Sequence, residues 1–420
     1  MAEVKAFCAL RPNEKQAAEV AALPYDVYSR EEARAAVQGH PLSFLNIDRP
    51  ETQFPEDCDM YAQEVYEKAR DMLREQTAAG VYVREEKPVY FFYELSVESG
   101  VLAPLLKGHS QTGLVACSSV DDYLNQVVRK HENTREEKER DRIRHVDIVD
   151  AQTGPIFLTY RGTEALKACE ARAKKQAPLY DFVSEDGIRH RVWRVADEAE
   201  VAAVTEGFRA VPTTYIADGH HRAASAVKVA LKRREEHPDY TGKEEFNYFL
   251  SVLFPEEELR ILPYNRVVDD LNGESPADLL LALDQVFTIR DCGETVPTPE
   301  QRGELGMYLD GHWYALGVRE ELRSEDPVEG LDVSFLQDLV LAPLLGIDDP
   351  RTSERIRFIG GIRGSEELKR LVDQKGGVAF LMFPTQMEEL LSVADAGLLM
   401  PPKSTWFEPK LRSGLFIHSL

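Results

Sequence analysis

Basic side chains are the scarce class in this sequence: 50 Lys and Arg stand against 73 Asp and Glu, a formal net charge of −23 over 420 residues. That balance argues against DNA, RNA or an anionic membrane as the main partner, because those surfaces repel a negative protein. It leaves room for a local basic pocket around a small anion. Long apolar runs are missing too. None reaches the roughly 18 residues of a membrane-spanning helix, and the most apolar long stretch, Leu331 to Ile347, is interrupted by Asp332, Gln337 and Asp338. Cysteine is sparse: Cys8, Cys58, Cys117, Cys169 and Cys292 lie far apart without a C-x-x-C pair, so neither a disulfide framework nor a zinc site is indicated. The start, Met1-Ala2-Glu3-Val4-Lys5, has no basic stretch leading into an apolar block. No secretory leader is therefore expected, and the expected compartment is the cytoplasm. Internal repeats, a G-x-x-x-x-G-K-[ST] loop, a G-x-G-x-x-G fingerprint and a G-x-S-x-G elbow are all absent.

What is present is an ordinary globular composition, 43% hydrophobic and 29% charged. At about 150 residues per domain the length suggests two or three domains. Helical and strand-like segments alternate, which predicts a mixed α/β fold. The spacing of Val65, Ala69, Met72 and Leu73 predicts a helix over Tyr61–Ala78, stopped by Gly80. Strands are expected at Val89–Leu95, Thr112–Ser118, Ile156–Tyr160, Thr213–Ala217, Phe246–Phe254 and Arg260–Val268, with a hairpin over Leu179–Val195 turning at Glu185-Asp186-Gly187. A helix starting after Ser119 is expected to run to about Arg144. The stretch Asp269 to Pro299 is the candidate boundary, which divides the chain into 1–268 and 269–420.

Two segments carry chemistry. In Thr213-Thr214-Tyr215-Ile216-Ala217-Asp218-Gly219-His220-His221-Arg222 an apolar strand ends in Asp-Gly and a helix follows at once. A helix N-terminus carries about half a positive charge and several unpaired N–H groups, so Asp or Glu usually fills the first turn. Here His220, His221 and Arg222 fill it, at a cost of a few tenths to about 1 kcal/mol for the bare helix. An anion at that point reverses the penalty, and phosphate is the obvious candidate. Gly219 lets backbone approach a ligand closely, and Asp218 could orient a histidine, hold a metal or take a proton. The competing reading is an Asp N-cap with a buried His and an exposed Arg.

The second segment is the charged run from Asp122 to Arg142. At ~100° per residue His131, Arg135, Lys138 and Arg142 fall on one helical stripe, continuing the side that begins with Leu124, Val127 and Val128. Cations kept on an inward side need anions, either protein carboxylates or a bound polyphosphate. The later loop Gly360-Gly361-Ile362-Arg363-Gly364-Ser365-Glu366-Glu367 differs: Ser365 caps and two glutamates fill the first turn, so it reads as structural, with a phosphate loop as the weaker alternative. Weaker signals are Pro24-Tyr25-Asp26-Val27, the Pro-anchored His40–Pro50 stretch, and a basic island from Met400 to Gly414 that contains Lys403, Lys410 and Arg412.

The Asp218-Gly219-His220-His221-Arg222 turn, the His131-Glu132-x-Thr134-Arg135-x-x-Lys138-x-x-Asp141-Arg142 helix and the Pro401-Pro402-Lys403-Ser404-Thr405-Trp406-Phe407-x-Pro409-Lys410 ending together resemble a bacterial family known as domain of unknown function 1015. The likeness runs from Pro24 to the terminus, and the family name supplies no activity. The central strand–turn–helix also resembles the signature of the ParB/sulfiredoxin-like superfamily. Its members set a short Gly-x-x-Arg element at a helix start against nucleotide phosphates. They include CTP-using ParB proteins, ATP-using sulfiredoxin and nucleotide-dependent free-serine kinases. The likeness implies a ParB/sulfiredoxin-like core with an N-terminal elaboration and a C-terminal α/β region. It puts Gly219, His220, His221 and Arg222 at the phosphates, with Asp218 beside them. His220 stands where sulfiredoxin has its cysteine, so sulfinic-acid reduction is not implied. The acidic net charge disfavours ParB-like DNA binding.

The resulting expectation is a nucleotide-dependent phosphotransferase or related phosphoester enzyme acting on a small anionic metabolite, serine or phosphoserine by resemblance. The alternative is a nucleotide-binding regulatory module without turnover. Asp218, His220 and His221 are the candidate catalytic residues. Gly219, Arg222, His131, Arg135, Lys138, Arg142 and Lys403 are the candidate nucleotide-binding residues. The expected cofactors are ATP, ADP or CTP with Mg²⁺ at Asp218. The serine kinases use a carboxylate base from an N-terminal segment, for which Asp26 and Asp48 are available. Homo-oligomerisation stays open.

Overall fold

The computed structural model describes residues 1–134 and 136–420, and the side chains of all of these except residues 137 and 138. The fold is mixed α/β, as expected, and divides into two compact units: Met1–Leu259 with Pro409–Leu420, and Arg260–Glu408. The division thus falls before the expected 268/269 boundary, because the strand Tyr264–Val268 pairs with Ile356–Gly360 and Val378–Met382 in the second unit. The last twelve residues return to the first unit, where Leu10 and Ile417 bridge and Ser413 bridges Ala22.

The first unit is built on a nine-stranded sheet. Its strands are β1 (Val4–Lys5), β2 (Tyr90–Val97), β3 (Ser110–Ser119), β4 (Val128–Arg129), β5 (Ile156–Tyr160), β6 (Tyr180–Val183), β7 (Ile188–Val195), β8 (Thr214–Asp218) and β9 (Tyr248–Pro255). The order is β4-β8-β5-β9-β3-β2-β7-β6, with β1 added to β3. Pairing is antiparallel except for β4 with β8 and β5 with β9. The central strands β2, β3 and β9 are buried on nearly every residue, the pattern expected where both sheet faces are covered. Three helices form a packed layer: α1 (Gln63–Ala78), α2 (Glu136–Val149) and α3 (His220–Glu236), with α2 packed against both others.

One expectation fails here. The helix after Ser119 is only Val120–Leu124, although Ser119 does cap it by accepting from the Asp121 N–H. Gln126 then takes a left-handed φ of 59°, and the β-branched Val128 joins the sheet opposite Thr214. His131 therefore lies in a loop, and the single helical stripe from His131 to Arg142 does not exist; the helix begins at Glu136.

The second unit holds a six-stranded antiparallel sheet made of β10 (Tyr264–Val268), β11 (Phe287–Gly293), β12 (Glu304–Leu309), β13 (His312–Val318), β14 (Ile356–Gly360) and β15 (Val378–Met382). The order is β11-β13-β12-β15-β10-β14. Helix α4 (Gly364–Lys375) packs Leu368, Leu371 and Val372 against Val267, Tyr308 and Trp313. Ser365 is inside α4 and does not cap it, a correction to the expectation, while Glu366 and Glu367 do fill its first turn. No helix among the described residues is long and apolar enough to cross a membrane.

Candidate functional site

Strand β8 is driven into the sheet by burial of Thr214 through Ala217, and its end, Asp218, is left half-exposed. Gly219 then turns the chain, at φ 94° and ψ 30°, into α3. That left-handed conformation suits glycine, and a Cβ there would stand 3.1 Å from Arg222 Nε. No side chain caps α3, and its first turn holds no acid. The first-turn N–H groups and the positive end of the dipole are therefore uncompensated by any cap.

Asp218 Oδ2 accepts a hydrogen bond from Lys410 Nζ at 2.8 Å, and Oδ1 lies 4.0 Å from Arg222 Nη2. Burial works to raise the Asp218 pKa, but Lys410 and Arg222 outweigh it and hold the carboxyl well below its usual range. Arg222 Nη1 donates to the Pro155 carbonyl at 2.6 Å. Its Nε is buried with no hydrogen-bond partner among the described residues. Burial opposes the charge on Arg222, and Asp26, Asp218, Tyr25 and Asp48 together more than restore it.

His131 and His220 meet edge to face with 4.6 Å between ring centroids, and the His131 backbone N–H donates to His220 Nε2 at 3.5 Å. Burial, reinforced by His131, holds His220 far below the usual imidazole pKa. Burial takes His131 down to about 4 against the attraction of Asp218. Both rings are thus neutral near pH 7, and neither ring nitrogen of His131 has a hydrogen-bond partner among the described residues. His221, half-buried in the first turn of α3, lies within the field of Glu139.

Arg142 enters from α2. Its Nε and Nη2 donate to Asp141 Oδ2 at 2.8 and 2.7 Å, its Nη1 reaches the Asp48 carbonyl at 3.4 Å, and its guanidinium lies 4.0 Å from the Tyr25 ring centroid. Arg142 and Arg222 line one recess of about 30 Å³ together with Tyr25, Asp48, Thr153 and Ser413. That is room for one or two water-sized groups, such as the oxygens of a phosphoryl group.

The fold thus brings together Asp218, Gly219, His220, Arg222, His131 and Arg142. Arg135 and the side chain of Lys138 lie outside the described residues. Lys403 belongs to the second unit, where its ammonium lies 5.5 Å from the Tyr264 ring centroid. The basic island does supply a cation, but it is Lys410. Among the described residues no group of three His, Cys, Asp or Glu side chains is arranged to hold a metal ion. Asp218 engages Lys410, so a Mg²⁺ ion here would have to arrive with phosphate oxygens as most of its ligands.

Sequence reasoning passed over several contributors. Thr153 donates to Asp48 Oδ1 at 2.9 Å. Arg49 donates to the carbonyls of Tyr25 and Tyr28 at 3.1 and 3.0 Å, so the His40–Pro50 stretch holds the Pro24–Val27 loop at the recess. The Pro-anchored segments were the visible signal for this; their pairing was not.

Residues 4–334 match the model of the family described as protein of unknown function (DUF1015), and the chain belongs to that family. No curated protein matches the sequence. Among solved structures the chain is similar to a free serine kinase in complex with AMP, at 11% identity and a TM-score of 0.33 over 70% of this chain and 86% of that one. It is similar to SbnI with C-terminal truncation from Staphylococcus aureus at 11% identity and a TM-score of 0.37, covering 70% of this chain and 82% of that one. A conserved hypothetical protein from Pyrococcus furiosus gives 11% identity and a TM-score of 0.34, covering 71% and 93%.

Proposed function

We propose that the first unit binds the phosphates of a nucleotide at the start of α3 and transfers a phosphoryl group to or from a small metabolite. The observation that carries this reading is the uncapped helix start at Gly219, with the Arg222 guanidinium against it and its buried Nε–H unsatisfied. Phosphoryl transfer asks for positioning and positive charge more than for covalent chemistry. In this division of labour the first-turn N–H groups and Arg222 hold one phosphoryl group, and Arg142 and Lys410 offset further charge. Asp218 anchors Lys410. The neutral His131–His220 pair shapes the turn without adding charge. His221 and Asp26 are the groups left to move a proton. Serine and phosphoserine are the first acceptors to try, from the motif resemblance.

The test is incubation of the full-length protein with ATP, ADP or CTP, Mg²⁺ and serine or phosphoserine, reading phosphate transfer. Turnover should fall at least about 100-fold in Arg222→Ala, the scale of losing one key charge-stabilising donor. Equal turnover in that variant sinks the assignment. One observation favours a second reading, a binding module without chemistry: the Asp218 carboxylate is already ion-paired with Lys410. Nucleotide-dependent thermal stabilisation without product identifies that case.

A further inference from the structure

Lys403, the cation of the basic island that belongs to the second unit, neighbours a second cation there, Arg266. Arg266, on β10, is 3% exposed. Its Nη1 donates to the Tyr264 carbonyl and its Nη2 to the Lys403 carbonyl at 3.3 Å, and its guanidinium lies 5.5 Å from the Phe358 ring centroid. Lys403 adopts a left-handed φ of 60°, unusual for a long side chain, and that turn points its carbonyl at Arg266 and its ammonium over Tyr264. The turn is fixed on either side: Ser404 Oγ donates to the Pro401 carbonyl at 2.6 Å, and Thr385 Oγ1 donates to the Ser404 carbonyl at 2.9 Å.

Among the described residues the polar contacts of Arg266 are the Tyr264 and Lys403 carbonyls and no carboxylate acts on its charge; the acid of this ring cluster, Glu408, accepts from Trp406 Nε1 at 2.8 Å. Burial lowers the Arg266 pKa to about 10, and the only charge acting on it the other way is the Tyr264 phenol. In a chain with 73 acidic residues against 50 basic, two neighbouring cations held on aromatic rings, Lys403 over Tyr264 and Arg266 over Phe358, form an exception. A buried charge without a counter-ion is strongly unfavourable. Backbone carbonyls satisfy hydrogen bonds but not the charge. Arg266 is the buried cation of the pair and Lys403 the exposed one.

We propose that Arg266 and Lys403 form an anion site of the second unit, built for a phosphate-bearing small molecule and separate from the helix start at Gly219. The ligand supplies the missing counter-charge: the exposed Lys403 meets it, and the buried Arg266 sets the potential. The aromatic rings of Tyr264, Phe358 and Trp406 already pack edge to face against one another, with 4.9 Å between the Tyr264 and Trp406 centroids. The site therefore recognises charge and not a base.

The experiment titrates inorganic pyrophosphate into full-length Arg222→Ala protein, which removes the first unit's own anion contact, by calorimetry at fixed ionic strength. Saturable binding should remain, and Lys403→Glu added to that background should weaken it at least tenfold. Equal affinity with and without Lys403→Glu, or no binding by the Arg222→Ala protein, overturns the proposal whatever becomes of the phosphotransferase reading. Arg266→Met supplies a second readout. With the uncompensated charge gone, its melting temperature without anion should equal or exceed that of the parent, and the gain with pyrophosphate should vanish. A lower melting temperature with an undiminished pyrophosphate response shows Arg266 to be a structural residue and sinks the idea.

Discussion

Lys410 and Asp218 lie 192 positions apart and meet at 2.8 Å, with side chains 16% and 31% exposed. A pair this enclosed is worth more than a surface salt bridge and less than a fully buried one. Asp218→Asn or Lys410→Met alone should each cost about 1–3 kcal/mol, since each strands the other charge. The double variant should cost clearly less than the two together, a coupling measurable by urea unfolding of all four proteins. Additive losses would mean that the two charges do not depend on each other. Asp218, Gly219 and Arg222 were legible because three signals coincide there: an apolar run, a glycine, and a helix start filled with the wrong sign of charge. Lys410 was not. Lys403, Lys410 and Arg412 share one island, and nothing local says that the chain turns back into the first unit only after Glu408. Of the three, Lys403 belongs to the other unit.

Elements were legible where one period runs unbroken. Helix α1, strand β5 and the β6–β7 hairpin fall within a few residues of expectation. The run between Ser119 and Arg142 failed because charge spacing alone cannot register a break, and a two-residue strand leaves no period to detect. The returning segment was also hidden, since its contacts are made by burial and not by pattern. Leu415, Phe416 and Ile417 are fully buried there, and Gly414 holds φ 85°. An alanine Cβ would stand 2.5 Å from Phe44 Cγ. Gly414→Ala should therefore cost about 2–5 kcal/mol, from the left-handed backbone and overpacking together. Gly39→Ala is the control: φ is 81° and nothing lies within 4 Å of the added carbon, so about 1–2 kcal/mol is expected. Urea midpoints compare the two, and equal losses would show that Phe44 yields freely.

At the scale of the whole molecule the two units carry opposite responses to acid. The first unit buries histidines held neutral: burial takes His131 to about 4 and, with Arg412, His190 to about 3, and burial also lowers His145, His220 and His418. Such a group stays neutral in the folded state while the unfolded chain takes a proton. Its stability is intact above about pH 6.5 and is lost as the pH falls toward the folded value. At pH 5, His131 and His190 each cost about 2 kcal/mol. Glu258, raised to about 7 chiefly by burial, offsets part of that by holding a proton that the unfolded chain gives up. In the second unit burial likewise raises the Asp332 carboxyl to about 7, although it accepts the Gly303 N–H at 2.9 Å. A carboxyl raised in this way gives stability that is fully present below about pH 4 and is lost as the pH climbs through 7. Acidification from pH 7.5 to 5 should therefore weaken the first unit and hold or strengthen the second. The tryptophans report them separately: Trp193 lies in the first unit, and Trp313 and Trp406 in the second. Thermal unfolding followed by fluorescence in the double variant Trp313→Phe, Trp406→Phe should show a midpoint falling by several degrees. In Trp193→Phe the midpoint should stay level or rise. Midpoints that fall together in both proteins would show that the buried imidazoles do not set the acid response of the first unit alone.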